Sequence, residues 1–383
     1  MRWFLLSSVV TAPLRAIIAS SQSGKSKPIR PEWLISAVNG LNVVSFGVSL
    51  DSNLPVFSVA GRSRADRVVK DKDTRLLSRR KFNGLCVAFS SFVTASGALA
   101  LDAATASIAA GRTVKFRNGT VVPALGQGSW HLAQGRHPQA AEDEALRTGL
   151  SLGMTLIDTA EVYSNGHSEE LINHAIAGQR ENVFLVSKVL PTHLADDGIA
   201  RACEASLARL GTDHLDLYLL HWRNGIANLS GVVMAFENLR SEGKTRAWGV
   251  SNFKVSDMED LFRVQHGDRC ATNQVPYSVG DRSIERDLLP WCERHGMPVM
   301  AYSPLGGPGA SLLRDPTLAR IGAAHGCSAA AVALAWNIRS GNVIAIPESG
   351  SVAHVKENAV ALSLALTPQE IQTLDAAHPP PGR

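Results

Sequence analysis

TLIDTAEVYSNGHSEELINHAIAGQRENVFLVSKV, residues 155–189, holds one complete architectural unit. TLIDTA and VFLVSKV are short apolar runs with β-branched residues, the composition of strands buried on both faces. Between them, SEELINHAIAG repeats its apolar residues at helical spacing and ends at Gly178, a common helix terminator. A strand, a helix and a second strand in that order form a parallel pair covered by its own crossover.

The same alternation continues in both directions. Further strand-like runs are ALGQGSW upstream and LDLYLLHW, TRAWGVSN, ATNQVPYS, PVMAYSPL and VIAIPES downstream. Helical patterns separate them: AAEDEALRTGLSLG, IARACEASLARLG, VVMAFENLRSEG, VSDMEDLFRVQ, IERDLLPWCERHG, LARIGAAHGCSAAAVALAWNIRSG and AHVKENAVALS. Counted together they make eight strand–helix units, the number that closes a (β/α)8 barrel. An open doubly wound sheet is the alternative, but no G-x-G-x-x-G follows the first strand. A hairpin precedes the barrel, with Asn118-Gly119 between TVKF and VVPAL. A last helix, TPQEIQTLDAA, begins with Thr367 as cap and Pro368 as first residue.

A barrel of this kind carries its chemistry at the C-terminal ends of its strands. Those ends hold Asp158, Lys188, His221, Ser251-Asn252, Gln274, Ser303 and Ser349 in strand order. Apolar runs such as LVSKV and LLHW have no packing reason to carry an ammonium or an imidazole, and buried charges survive only when paired. Polar groups recurring at one rim therefore mark a site.

The chain has 383 residues and a formal net charge of +4. Residues 1–110 carry 14 Lys+Arg and 6 Asp+Glu, leaving 24 basic and 28 acidic residues in the body. The basic excess belongs to the leader, and the mildly acidic body offers nothing for nucleic acid. No C-x-x-C occurs, so neither a zinc nor a redox motif is present, and no metal is expected. Cys203, Cys270, Cys292 and Cys327 read as small buried hydrophobes, although pairing in an oxidising compartment stays open. SRRKFNGLCVAFSSFVTASGALA, residues 78–100, has a basic head, a moderately apolar middle and an A-x-A-like end, the form of a cleavable export signal. Its paired Arg79-Arg80 is similar to the twin-arginine class. Residues 78–106 are accordingly expected to be a signal peptide that engages the twin-arginine machinery and sends the protein to the periplasm. Residues 1–77 are expected to be an unstructured or mis-assigned leader, with the working start near Val68 or Val69. An organellar transit peptide, or a cytoplasmic protein, is the alternative.

The motifs LIDTAEVYSNGHSEELI, VSKV, LDLYLLHW, WGVSNF, NQVPYS, AYSPL and the IPESGS…KEN end resemble the aldo-keto reductases over residues 111–378. The resemblance is closest to bacterial members acting on small carbonyls such as methylglyoxal. It implies a (β/α)8 barrel that takes NADPH or NADH without a Rossmann fold, and a monomer with a small carbonyl substrate. It further implies Asp158, Tyr163, Lys188 and His221 as the catalytic set. Tyr163 would be the proton donor, with Lys188 lowering its pKa, Asp158 holding Lys188, and His221 aiming the carbonyl oxygen. Trp130, His221 and Trp222 would wall the substrate. Ser251, Asn252 and Gln274 would hold the carboxamide and Tyr302 would stack on the nicotinamide. Ser303 and Leu305 would line the pyrophosphate path, and Glu357 and Asn358 would meet the adenine. NADPH-using relatives carry Lys and Arg toward the 2′-phosphate where this chain has Glu348 and His354, beside Ser349. That departure implies weakened NADPH preference, with a solvent-facing Glu348 as the alternative. A nicotinamide-binding sensor or partner subunit with vestigial catalysis is the competing function; the complete catalytic set argues against it.

Overall fold

The structure, a computed structural model, describes residues 112–194, 197–307 and 310–382 together with three short strands nearer the N-terminus. Those strands, Leu34–Asn39, Asn42–Ser49 and Val56–Val59, form a separate antiparallel sheet in sequence order, within the expected leader. The expected export signal at 78–106 lies outside the described residues.

In the body, Thr113–Lys115 and Val121–Pro123 pair as the antiparallel hairpin read from Asn118-Gly119. Eight parallel strands follow: β1 (Gln127–Gly128), β2 (Leu156–Asp158), β3 (Phe184–Val189), β4 (Leu215–Leu220), β5 (Thr245–Ser251), β6 (Asn273–Pro276), β7 (Val299–Tyr302) and β8 (Val343–Ala345). Each pairs with its sequence neighbour, so the sheet order is the chain order. The sheet closes on itself. Gly126 donates to Ala345 O at 2.8 Å, Gly128 donates to Pro347 O at 2.9 Å, and Ala345 donates back to Ala124 O at 2.9 Å. Glycine is needed at this seam. A Cβ on Gly126 would sit 2.7 Å from the Leu156 side chain, and one on Gly128 would sit 2.9 Å from Ile346 O. Every residue of β2, β4 and β8 is buried, as parallel strands covered on both faces require.

The helices cover the outside: α1 (Gln139–Ser151), α2 (His167–Ile176), α3 (Gly198–Leu210), α4 (Leu229–Ser241), α5 (Val255–Arg263), α6 (Leu288–Arg294), α7 (Pro316–His325), α8 (Ala329–Asn337), α9 (Val352–Ala359) and α10 (Pro368–Ala377). Their inward stripes hold them to the sheet. Phe236 of α4 stacks on Trp248 of β5 with centroids 5.5 Å apart, a pairing worth about 0.5–1.5 kcal/mol beyond its buried area. Thr367 and Glu370 form a full capping box at the start of α10, with Pro368 at the first helical position.

The single helical pattern over residues 318–341 is two helices. Gly326 ends α7 in the left-handed region (φ 65°) and the Ser328 hydroxyl caps α8 by accepting from Ala331 N–H. The axes bend by 96° at this break. Gln274 stands second of four residues in β6 rather than at its end. Cys203, Cys270 and Cys292 are buried, Cys327 is partly exposed, and these four form no disulfide.

Candidate active site

The strand ends converge as the barrel reading requires. The Lys188 ammonium, fully buried, donates to Asp158 Oδ2 at 2.7 Å, to Thr159 O at 2.8 Å and to the Tyr163 hydroxyl at 3.0 Å. Gln274 Nε2 donates to the other Asp158 oxygen at 2.7 Å. The His221 ring meets the Tyr163 ring edge-on, centroids 5.9 Å apart, and lies flat on Trp222 at 3.7 Å. Its Nδ1 is buried without a hydrogen-bond partner among the described residues.

A cavity of about 640 Å³ opens over this cluster. Asp158, Tyr163, His221 and Trp222 line one part, while Ser251, Asn252, Gln274, Tyr302, Ser303 and Leu305 line another. Trp130 stands at the mouth with half its surface exposed. The amides and hydroxyls on the floor hold one another. Asn252 donates to Ser251 Oγ at 3.0 Å and to His221 O at 3.1 Å, Ser251 donates to Gln274 O at 2.8 Å, and the Tyr302 hydroxyl donates to Asn252 Oδ1 at 2.9 Å. The volume falls within the range of small-molecule and cofactor sites. Backbone strain gathers here. Ser164 (φ 49°) and Asn165 (φ 54°) on the Tyr163 turn, and Asn252 (φ 61°) and Ser303 (φ 51°) on the cavity, are left-handed non-glycines. Such residues cost about 1–3 kcal/mol each and persist where surrounding contacts over-determine them. One such contact is the Ser164 hydroxyl, which donates to Ala133 O at 2.8 Å.

Electrostatics follow from burial. Desolvation, the largest influence on Lys188, works against its charge, but Asp158 and Tyr163 outweigh it and hold the ammonium above its ordinary pKa. Tyr163 differs from expectation. Burial pushes the phenol above its ordinary range and the Lys188 charge opposes this only in part, so the net shift is upward. Burial, helped by the Lys188 charge, drives His221 down to about 3, leaving a neutral imidazole with one donor and one acceptor.

The other expected cofactor residues are split. Glu348 lines the same cavity, but its Oε2 accepts from the His131 backbone N–H at 2.7 Å and pairs with His131 Nδ1 at 3.1 Å. It therefore does not simply face solvent. Ser349 accepts locally from Ser351 N–H, His354 and Glu357 are exposed on α9, and Asn358 is buried; none of these four lines the cavity. Sequence reasoning missed His131, the partner of Glu348, and Glu161, whose carboxylate accepts from Leu190 N–H at 2.7 Å. His131 follows Trp130 in the chain and Glu161 falls between Asp158 and Tyr163, which is the only signal sequence offers for them.

Comparison with known proteins agrees with this fold. Residues 124–379 match the family model described as "Aldo/keto reductase family". Methylglyoxal reductase YeaE of Escherichia coli (strain K12) is 47% identical over 273 residues, covering 70% of this chain and 96% of that protein. Glyoxal reductase of Bacillus subtilis (strain 168) is 32% identical, covering 69% and 92%. An aldo/keto reductase from Klebsiella pneumoniae, crystallised in complex with NADP and acetate, is similar at 47% identity and a TM-score of 0.68, covering 71% of this chain and 97% of that one.

Proposed function

The chain belongs to the aldo/keto reductase family, and on that premise we propose that it reduces small aldehydes and ketones to alcohols with NAD(P)H, Tyr163 giving the proton. The observation that carries this reading is the Lys188 ammonium, 3.0 Å from the Tyr163 hydroxyl and 2.7 Å from Asp158. The cavity suits a nicotinamide dinucleotide: it joins a partly exposed Tyr302 ring to a floor of amides and hydroxyls at Ser251, Asn252 and Gln274. When bound, the reduced nicotinamide supplies a hydride to the carbonyl carbon.

The protein's own residues handle the proton. Tyr163, held protonated through neutral pH by burial, presents its hydroxyl to the carbonyl oxygen. Giving up that proton leaves a phenolate, which the adjacent ammonium stabilises in a site with little water. Asp158 keeps Lys188 charged, and Gln274 fixes the Asp158 carboxylate. His221, neutral and stacked on Trp222, donates a hydrogen bond that orients the same oxygen. Ser303 and Leu305 carry the pyrophosphate path. The family resemblance assigns Ser349, Glu357 and Asn358 to an adenosine end outside this cavity.

Small dicarbonyls are the proposed substrate class, supported by the 47% identity to a methylglyoxal reductase. Glu348 favours a ribose diol over a 2′-phosphate, because a carboxylate repels phosphate and accepts from hydroxyls, and His354 stands where NADPH-using relatives carry Arg. The test is an assay of the purified protein with methylglyoxal, glyoxal and simple aldehydes against NADH and NADPH. Turnover of at least one dicarbonyl supports the reading; no turnover with either cofactor overturns it.

We also propose that residues 78–106 act as a twin-arginine export signal, supported by the sequence pattern alone. Cell fractionation tests it: protein confined to the cytoplasm in cells with a working export system overturns it.

A further inference from the structure

We infer that Glu161 is a positioning residue for the Tyr163–Lys188 pair, acting as a side-chain continuation of the β2–β3 ladder. The inference rests on the reading of Tyr163 as proton donor. β2 ends at Asp158, yet its pairing with β3 does not stop there. Thr159 N–H donates to Val186 O at 2.9 Å and Glu161 N–H donates to Lys188 O at 3.4 Å. The next acceptor that a continuing strand would offer is missing, because the chain turns away into the Tyr163 segment, where Tyr163 N–H donates to Ala160 O at 3.0 Å. The Glu161 carboxylate fills that place. Its Oε1 accepts from Leu190 N–H at 2.7 Å and lies 3.0 Å from His193 Nδ1.

The Glu161 side chain is 9% exposed and its His193 partner 44%, so the bond to Leu190 N–H, rather than the pair with His193, is the contact that matters. Glu161 thus grips the chain leaving Lys188 with its carboxylate and Lys188's own carbonyl with its N–H. Two residues further on stands Tyr163. The turn that presents the phenol carries left-handed residues at Ser164 and Asn165 and needs bracing from outside. Ser164, bonded to Ala133 O, braces its far side; Glu161 braces the side facing Lys188. Glu161 touches neither the Tyr163 hydroxyl nor the Lys188 ammonium, so it acts through their spacing.

The test compares Glu161→Ala, Glu161→Asp and Glu161→Gln in the full-length protein. Displacement of a reacting group by about 1 Å can cost on the order of 10²-fold. Glu161→Ala is therefore expected to lower kcat about 10- to 100-fold, with KM and the Kd for reduced cofactor, read by fluorescence titration, changed less than about twofold. Glu161→Asp keeps the charge but is too short to reach Leu190 N–H, and should resemble Ala. Glu161→Gln keeps an acceptor at the right reach without charge, and should recover kcat to within about threefold of the parent. If Glu161→Ala keeps kcat within about twofold, or if Glu161→Gln is as slow as Glu161→Ala, the positioning role is wrong. Should Glu161→Ala fail to fold, the Asp–Gln contrast decides by itself. An inactive parent protein refutes the carbonyl-reductase reading instead, which keeps the two failures apart.

Discussion

Gln274 and Asp158, 116 residues apart in sequence, meet across the barrel mouth, the Gln274 amide donating to Asp158 Oδ1 at 2.7 Å. Lys188 takes the opposite oxygen, so the buried carboxylate has a donor on each side. These two bonds differ in what their loss exposes. Asp158→Asn leaves a buried ammonium without its counter-charge and is expected to cost about 3–5 kcal/mol. Gln274→Met leaves one carboxylate oxygen without a donor and should cost about 1–3 kcal/mol. Denaturant titration at neutral pH separates them; equal losses would show that the ion pair carries no more than the amide bond.

Tyr163→Phe removes the proton donor while keeping the ring. Carbonyl reduction is expected to fall ~10²–10⁴-fold, with reduced-cofactor affinity little changed. Because burial holds the Tyr163 phenol above its ordinary range, reductive kcat/KM should stay flat from about pH 6 to about pH 9. An alkaline fall beginning below pH ~8 would point to a different acid.

His221 ties stability to pH. The folded chain protonates it only near pH 3, and its ordinary value is 6.5. Between these values the unfolded state binds more protons than the folded state. The contribution is thus complete above 6.5 and is lost as pH falls toward 3, by at most about 1.4 kcal/mol per pH unit. Unfolding free energies at neutral pH and near pH ~4.5 should therefore drop more in the parent than in His221→Gln. An identical drop in both proteins would place the acid sensitivity elsewhere.

The proposed cofactor preference rests on Glu348, a carboxylate that would repel the 2′-phosphate of NADPH. Glu348→Lys is expected to tighten NADPH relative to NADH by tenfold or more, equivalent to about 1.4 kcal/mol. Fluorescence titration of both cofactors reads this directly. Parent protein binding NADPH about a hundredfold more tightly than NADH would remove the premise.

Much of this was legible in the chain. The eight strands stood out because each is an apolar run too short for a helix and followed by helical spacing. The charged residues inside LVSKV and LLHW were conspicuous because nothing apolar explains them. What stayed hidden depends on distant partners or on burial. One continuous pattern over 318–341 breaks because Gly326 takes a left-handed turn and Ser328 caps a new helix, two small residues in a run that otherwise suits one helix. The rise in the Tyr163 pKa comes from desolvation, which no local motif reports. Glu348 turns toward His131, 217 residues earlier, and Glu161 toward Leu190, 29 residues later.

The hydrogen bonds from Gly126 to β8 and from Gly128 to Pro347 just beyond it have a temporal meaning. Trp130 and His131 reach the cleft from the first strand, and Glu348 from the last. During synthesis, then, a ribosome-bound chain still lacking the residues from Val343 onward has an unclosed sheet and a cleft without Ile346, Pro347 and Glu348.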